Sequence, residues 1–490
     1  MLSLLVFMPL FFAVVIVLIS RDDALISRYI ALTGSLLTAA LTVYLVVRFD
    51  FHAPGLQFED QNTNWLSYLG ASYHVGLDGL SLLLVILTVV VVPVAILMSH
   101  QTLTERVPLY MSLLLLLETS LLGLFVSRDL LLFYIFWEAV LIPAYLLIGI
   151  WGGQRRVYAA LKYVIYTMLG SLLMLVGVVG VYVYSSAHSF DIAALAAHPV
   201  SASLQMPLLI AFGLAFAIKS ALWPFHSWVP DVYTEAATPT TIVLAGVVSK
   251  MGAYGFLRIG LPFFPSAMHS VQSVASALAV VGILYGAMLA LTQYDAKRLV
   301  ACSSISHMCF ILLGVFALNM QGVQGATLQM VNHGVTTAAL FAIVAAIAWR
   351  WGTTDLRQLG GLGSKALVLA AIFMVVTLSA LGLPGLNSFP AEFLILLGAY
   401  RSAGVYGILG TLGVILAAWY MLRLYQDTMH GPTIEGGDTP AHGVALRTNE
   451  LVALLPLVAL IVWIGIVPGG WLQPAAAAAQ AIVSAVGGAN

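Results

Sequence analysis

Charged side chains are scarce in this sequence, and their scarcity excludes an ordinary soluble domain. Only 8 % of the 490 residues are Asp, Glu, Lys or Arg, whereas soluble domains average about 25 %. Hydrophobic residues make up 61 % of the chain, and the mean hydropathy is +1.02. The formal net charge of −1 gives no reason to expect nucleic acid or another polyanion as a partner. The composition indicates a protein that crosses a membrane many times.

Cysteine is nearly absent, and Cys302 and Cys309 are the two copies. Two thiols support neither a disulfide framework nor an iron–sulfur cluster or a zinc site. His307 lies between them, but one helix does not converge these three side chains on a metal ion. We therefore expect no metal site and no iron–sulfur cluster on this chain.

Apolar windows that are long enough to cross a bilayer occur fourteen times. Twelve of them have about 18–25 residues and two are longer, lengths that suit a membrane-spanning helix and exceed that of a barrel strand. The first window lacks a basic leader and a small-residue cleavage site, so we interpret it as a span and not as a signal peptide. The sequence predicts an all-α polytopic protein whose seventh and twelfth helices are broken. The windows are 2–20, 29–47, 80–98, 108–126, 130–150, 161–184, 206–223, 240–259, 271–291, 299–318, 323–349, 366–397, 404–424 and 450–467.

The basic residues of the predicted loops favour one orientation in the membrane. If the N-terminus lies outside, 13 of the 19 Lys and Arg residues fall in inner loops or at the inner ends of windows, and only four fall in outer loops or at the outer ends. The remaining two, Lys219 and Lys250, lie within the membrane. The positive-inside rule then places both termini outside, which requires an even number of spans.

A short repeat marks the two predicted breaks. The letters SAL at 220–222 precede prolines at 224 and 230, and SAL at 379–381 precedes prolines at 384 and 390. Because the copies lie five spans apart, the second is inverted relative to the membrane. Paired broken helices in inverted halves are typical of transporters with a site near the bilayer midplane. We predict two inverted five-helix repeats, helices 4–8 and helices 9–13.

The repeat divides the chain into four predicted segments. Three N-terminal spans with a polar outer loop come first, followed by two half-channels. An inner loop, the last span and a weakly anchored outer tail rich in Ala and Gly complete the chain. The segments are 1–106 with its loop 49–79, 107–260, 270–424 and 425–490.

Ionisable side chains lie deep in several spans, where a charge costs about 2.5–3.5 kcal/mol on insertion scales. Lys219 follows an apolar run and precedes two prolines, which break helices. Glu138 and Lys250 lie about 13 Å and 16 Å along their predicted helices. A row of titratable groups linked by water is what proton transfer across a bilayer requires. The main candidates are Glu138, Lys219, Lys250, Glu392, His307 and His333, and the weaker ones are Glu118, His226 and Asp231.

Each candidate also has an ordinary explanation. A buried glutamate can be a protonated packing residue, a buried histidine can donate to a carbonyl, and Glu392 can cap the second half of a broken helix. His226 and Asp231 can simply satisfy backbone groups that the break frees. Lys219 and Lys250 lie too far from a helix end for easy snorkelling, so this explanation suits them poorly.

Glu138 and Lys219 suggest a proton switch that is controlled by charge. Burial disfavours the charge of a lysine, and a carboxylate within about 4–6 Å restores it. If Glu138 approaches Lys219, the lysine keeps its proton. If the glutamate moves away or is protonated, the lysine releases its proton to the row of titratable groups.

Four segments resemble the antiporter-like proton channel subunits of respiratory complex I, and the similarity covers nearly the whole chain. They are LLFYIFWEAVLIPAYLLIGIWGG, AFAIKSALWPFHSWVPDVYTEAATPTTIVLAGVVSKMGAYGFLRI, QYDAKRLVACSSISHM and NHGVTTAALF. The related subunits of Mrp-type sodium/proton antiporters share this core and are the alternative. Of the three complex I paralogues that bacteria call L, M and N, the chain is most similar to M.

Three features carry the similarity to M. The chain ends after fourteen spans, without the long lateral helix of L. The segment YHVGLDGLSLLLVILT resembles the start of the third span in M. The broken twelfth span carries Glu392, where L and N typically have a lysine.

The resemblance implies a role for each main candidate. Glu138 resembles the fifth-helix glutamate, and Lys219 resembles the seventh-helix lysine of the same half-channel. Lys250 resembles the eighth-helix lysine at the junction of the halves, and His307 and His333 match the polar positions of helices ten and eleven. Glu392 resembles the terminal acid of the outward half. The family link of Glu118 is weaker.

The resemblance also implies the surroundings of the chain. NADH, FMN, iron–sulfur clusters and quinone would be held by other subunits of an NADH:quinone oxidoreductase, and this chain would be a non-redox, proton-translocating subunit. Its partners would be other membrane-arm subunits, especially the paralogous antiporter-like subunits on either side. It would lie in the bacterial inner membrane with both termini on the periplasmic side.

Overall fold

Long apolar helices make up most of the computed structural model, which describes residues 1–20, 23–51, 53, 55–431 and 443–487. Thirteen helices of the described residues are long and apolar enough to cross a membrane. A shorter apolar helix, Leu367–Ala380, forms the first half of a further, broken span. The predicted all-α polytopic fold is therefore confirmed.

The spans are numbered here in chain order. Span 7 consists of Ala202–Lys219 and Trp228–Glu235, and span 12 consists of Leu367–Ala380 and Ser388–Ser402. The other spans, from 1 to 14, are Leu2–Ile19, Ala24–Arg48, Gly79–Thr102, Val107–Val126, Leu130–Trp151, Arg156–Tyr184, Thr238–Phe263, Pro265–Leu291, Ala296–Phe316, Met320–Trp351, Gly404–Met429 and Thr448–Ile466.

An antiparallel hairpin lies at one end of the bundle. Strand β1 is Gln57–Leu66 and strand β2 is Ala71–Leu77. The N-terminal ammonium of Met1 donates to Asp60 of β1 at 2.7 Å, so the chain begins at this end. We call it the hairpin face and the other end the opposite face.

The C-terminal segment is better anchored than the sequence predicts. Residues Gly469–Gly487 form a helix whose Trp471, Ala475 and Ala479 are buried. A Cβ at Gly79 would overlap the backbone of Pro474, so this helix lies directly on the start of span 3. The prediction of a weakly anchored tail is wrong because alanine favours helix formation and its small side chain permits close packing.

Matching backbone hydrogen bonds on the two faces display the inverted repeat. In spans 5 and 10, the backbone amide of the first residue donates to the segment that follows span 6 or span 11. The carbonyl of the residue two positions before each span accepts a hydrogen bond from the same segment. The bonds are Leu130 N to Phe190 O and Ile192 N to Arg128 O on the hairpin face, and Ala296 N to Thr354 O and Leu356 N to Tyr294 O on the opposite face. Spans 5 and 10 are thus equivalent and inverted, as the sequence predicts.

The two broken spans also share one backbone pattern. In each, a residue with positive φ, Ala221 or Gly382, follows the first half-helix. The next residue, Leu222 or Leu383, then donates to the carbonyl five positions earlier. This alignment differs by two residues from the one that the SAL letters suggest. The structural register follows the left-handed residue and the free carbonyls at the helix end, and not the serine.

Spans 5 and 8 contain interruptions that the sequence interpretation missed. Span 5 has a turn at Val140, and Pro143 lacks the amide that would bond to the carbonyl of Ala139. Span 8 contains two π-helical turns, Leu244–Val248 and Phe256–Gly260. Such turns leave carbonyls without their usual helical donors and are frequent at functional sites.

His74 of β2 joins the hairpin to the short helix that follows span 6. Its Nδ1 lies 2.8 Å from Asp191 and its Nε2 lies 2.7 Å from Glu59. Burial opposes a charged imidazole, but the hydrogen bonds and the charges of these two carboxylates outweigh it and raise the pKa of His74 above its usual value. The contact therefore depends on pH.

We expect the hairpin to loosen as the pH rises. Because the folded pKa is raised, the stabilisation by charged His74 is fully present below about pH 6.5 and is lost through the raised value. The loss should be about 1 kcal/mol, since Glu59 is half-exposed. Hydrogen exchange of β1 and β2 between pH 6 and 9 measures it in the purified protein. In His74→Gln the protection should be lower and free of this transition, and a wild-type transition in that variant would contradict the assignment.

Candidate functional site

Lys219 is the last residue of the first half of span 7. Its side chain is buried, and its Nζ donates to the hydroxyl of Tyr163 on span 6 at 3.0 Å. Nζ also lies 5.0 Å from the ring centre of Tyr163 and 5.8 Å from that of Trp137. Aromatic faces and the negative end of a helix both stabilise an ammonium group. The break of span 7 thus places Lys219 at the end of a helix, and spans 5 and 6 supply the aromatic side chains around its Nζ.

Glu138 lies near this site but does not contact Lys219. Its side chain is half-buried on span 5, just before the turn at Val140. Among the described residues, no ion pair within 4.0 Å joins Glu138 to Lys219, whose hydrogen-bond partner is Tyr163. The predicted switch requires the two groups to approach each other, and it stays a prediction.

The first π-helical turn of span 8 builds the surroundings of Lys250. Ser249 N donates to Leu244 O in place of Ala245 O, and the freed Ala245 carbonyl accepts from Lys250 Nζ at 2.6 Å. Nζ also lies 3.1 Å from Ser249 Oγ and 2.8 Å from Nδ1 of His333 on span 11. The lysine side chain is 0 % exposed, so all its partners come from the protein interior.

The row continues from His333 to the second broken helix. The rings of His333 and His307 are 5.4 Å apart, and His307 Nδ1 lies 3.7 Å from Glu392 Oε1. All three side chains are buried. The structure thus brings Lys250, His333, His307 and Glu392 together, although they belong to spans 8, 11, 10 and 12.

Several uncharged polar residues line this row, and the sequence interpretation missed them. Gln329 donates to Glu392 at 3.0 Å, and the hydroxyl of Tyr420 lies 3.2 Å from His307 Nε2. Asn332 donates to the carbonyl of Asn387 in the break of span 12 at 2.6 Å. A stronger signal was present in span 11, because Gln329, Asn332 and the nearby Thr336 recur at helical spacing.

A small cavity lies beside His307 and His333. It has a volume of about 10 Å³ and is lined by His307, His333, Gln329 and hydroxyl side chains. This is close to the space that one water molecule needs. Nε2 of His333 and Oε1 of Gln329 are buried and have no protein partner among the described residues. Both atoms belong to residues that line the cavity. A buried water molecule typically forms hydrogen bonds with polar atoms that lack a protein partner.

A glycine permits spans 7 and 8 to approach each other between the two lysines. A Cβ at Gly252 would overlap the hydroxyl of Ser220 and the carbonyl of Phe216. Ser220 follows Lys219 directly, and Gly252 lies two residues after Lys250. The break of span 7 therefore packs against the turn of span 8 that carries the second lysine.

The three weaker candidates lie outside the row. Glu118 is fully buried and accepts a hydrogen bond from Ser35 of span 2 at 3.2 Å. The ring of His226 packs edge-on against Tyr285 of span 9 at 5.0 Å. Asp231 forms ion pairs with two basic side chains, so its role is not limited to the backbone groups of the break.

Comparisons with known proteins agree with this geometry. The family described as NADH:quinone oxidoreductase/Mrp antiporter, transmembrane, matches residues 127–418. The chain is 38 % identical over 478 residues to NADH-quinone oxidoreductase subunit M of Rickettsia conorii, and 96 % of each chain is covered. A chain of respiratory complex I from Thermus thermophilus has a TM-score of 0.91 at 32 % identity, with 99 % of this chain and 100 % of that chain covered. A chain of an Mrp complex from a Dietzia species has a TM-score of 0.85 at 23 % identity, with 99 % and 98 % covered, which shows the fold alone.

Proposed function

Because the chain belongs to the NADH:quinone oxidoreductase/Mrp antiporter transmembrane family, we propose that it is the proton-translocating subunit M of an NADH-quinone oxidoreductase. The observation that carries the proposal is the buried row of Lys250, His333, His307 and Glu392. Burying four neighbouring titratable side chains inside a membrane protein costs free energy, and such residues mark ion pathways in membrane proteins.

We also propose which subunits bind the cofactors, which subunits this chain contacts and in which membrane it lies. NADH, FMN, iron–sulfur clusters and quinone are bound by other subunits, and this chain carries out no redox step. It assembles with the other membrane-arm subunits, including paralogous antiporter-like subunits on either side. It lies in the bacterial inner membrane with both termini on the periplasmic side, as the distribution of basic loop residues favours.

The geometry suggests how the protons move. A proton is taken up from inside near Lys219, passes to Lys250 and reaches His333 through a contact of 2.8 Å. A water in the small cavity connects His333 to His307, and the last step crosses the 3.7 Å between His307 and Glu392. Movement of neighbouring subunits drives the cycle by changing the distance between Glu138 and Lys219.

Replacement of Lys219 tests the function. In Lys219→Ala we expect this chain's share of proton pumping, measured with NADH in sealed membrane vesicles, to fall at least about tenfold. Lys219→Arg should also impair pumping, because a guanidinium does not readily release its proton. The exposed Lys365 provides the control Lys365→Ala, which should pump normally. A Lys219→Ala variant that assembles and pumps at the wild-type rate would disprove the proposal.

A sodium/proton antiporter is the second candidate, and the shared fold of the Mrp chain is the observation that favours it. Purification from native membranes separates the two. Subunits that oxidise NADH and carry iron–sulfur clusters should copurify with this chain under the first proposal. A small assembly without clusters, which exchanges cations without NADH, would support the antiporter.

A further inference from the structure

The register of the inverted repeat makes Asp231 the counterpart of Glu392. Each acid lies ten residues after the left-handed residue of its break, Ala221 in span 7 and Gly382 in span 12. Each also lies in the first turns of the second half-helix. The SAL letters hide this equivalence because they are offset by two residues from the structural alignment.

The two acids have different surroundings. Glu392 accepts from the amide of Gln329 on span 11 and lies near an imidazole of span 10. Asp231 instead lies 2.7 Å from Lys162 on span 6, which is the repeat counterpart of span 11. It also lies 3.4 Å from Arg298 on span 10. Asp231 is thus held between two basic side chains of other spans, whereas Glu392 lies in the buried row.

Span 6 holds both halves of the broken span 7 through consecutive residues. Lys162 binds Asp231 of the second half-helix at 2.7 Å. Tyr163 accepts from Lys219 of the first half-helix at 3.0 Å. If the second half-helix shifts along span 6, the shift therefore acts on Lys162, and the adjacent residue Tyr163 is the one that holds Lys219.

The second repeat unit holds the same half-helix from the other side. Arg298 of span 10 pairs with Asp231, and the neighbouring Lys297 donates to the carbonyl of Ala236 at the end of the half-helix at 2.5 Å. Span 10 also carries His307 of the buried row. Asp231 is thus a side chain on which basic groups from both units converge.

We propose that Asp231 is a positioning residue, shared between Lys162 of the first unit and Arg298 of the second, through which span 10 sets the position of the broken helix that carries Lys219. When the contact with Arg298 strengthens, the pairing with Lys162 weakens and span 6 is free to move relative to Lys219. This inference rests on the proposed proton-translocating function. Among the described residues, the ion pairs of Lys162 and Arg298 join them to Asp231 and not to the buried row, so they act through Asp231.

The test compares coupling with assembly in the intact complex. Arg298→Gln and Lys162→Met are each introduced, and protons pumped per NADH oxidised are measured in sealed vesicles alongside the amount of assembled complex. We expect each variant to assemble and to oxidise NADH, and to lose at least about half as much pumping as Lys219→Ala, since couplings of this kind are typically several-fold. Asp231→Asn should behave similarly, and Asp231→Glu should restore pumping. The control is Arg357→Gln, which removes the ion pair of an exposed arginine with Asp355.

Three outcomes would overturn the inference or its basis. If both variants pump like the wild type while Lys219→Ala does not, the inference is wrong and the proposed function stands. If assembled complex, NADH oxidation and pumping all fall in proportion, Asp231 is only a structural clamp and the inference is again wrong. If Lys219→Ala itself pumps normally, the proposed function fails.

Discussion

Replacing Lys250 with methionine is expected to stop proton translocation through this chain while the complex still assembles. Methionine fills a similar volume but carries no proton, and it interrupts the row directly before His333. We expect this chain's share of pumping to fall by about a hundredfold or more. The ratio of protons pumped to NADH oxidised in sealed vesicles measures the effect.

Two further variants separate the role of the proton from the role of packing. Lys250→Arg keeps the charge and the donors but holds its proton, so it should pump poorly. The neighbouring Met251 is also fully buried, and Met251→Leu should be tolerated because it conserves volume. If Lys250→Met pumped at the wild-type rate, proton transfer through Lys250 would be excluded. If Lys250→Arg pumped normally, its charge and not its proton would be what the chain requires.

Removal of Glu450 is expected to give the largest loss of stability. Glu450 at the start of span 14 accepts two hydrogen bonds from Arg350 at the end of span 11, at 2.7 and 2.5 Å. Both side chains are 0 % exposed. Glu450→Leu leaves the guanidinium buried without its counter-ion, which should reduce the free energy of unfolding by about 3–5 kcal/mol. Thermal unfolding of the purified protein measures this loss.

The double variant is the sharper test of that pair. Arg350→Met combined with Glu450→Leu removes both charges, and we expect it to recover most of the stability because an apolar replacement of a buried pair is often neutral. A single Glu450→Leu variant that unfolds like the wild type would contradict the assigned role. Equal losses in the single and double variants would show that packing, and not the unpaired charge, determines the result.

The sequence by itself determined the number of spans, the two broken helices and the inverted repeat. A bilayer core demands about 20 apolar residues per helix, so the spans are visible as windows. Prolines mark breaks because they cannot complete a helical hydrogen bond. The ionisable residues Glu138, Lys219 and Lys250 were conspicuous for a similar reason, since a charge inside the membrane is costly.

Only the tertiary structure decided which of these groups meet. Sequence position indicates the depth of a residue in its span, but not the rotation of the helix or the identity of its neighbours. The contact of Lys250 with His333 joins residues 83 positions apart, and it depends on a π-helical turn that has no clear signature in the sequence. The distance between Glu138 and Lys219 likewise depends on how spans 5 and 7 pack.

The equivalent positions of the inverted repeat were likewise decided by the tertiary structure and not by the sequence. The SAL letters located both breaks correctly and still paired the wrong residues, because backbone hydrogen bonds and not letters define equivalent positions. In the sequence, Asp231 resembles a residue that only satisfies the backbone, because its partners Lys162 and Arg298 come from two other spans. Depth in the membrane follows from local hydrophobicity, whereas pairing follows from the packing of helices that are distant in the chain.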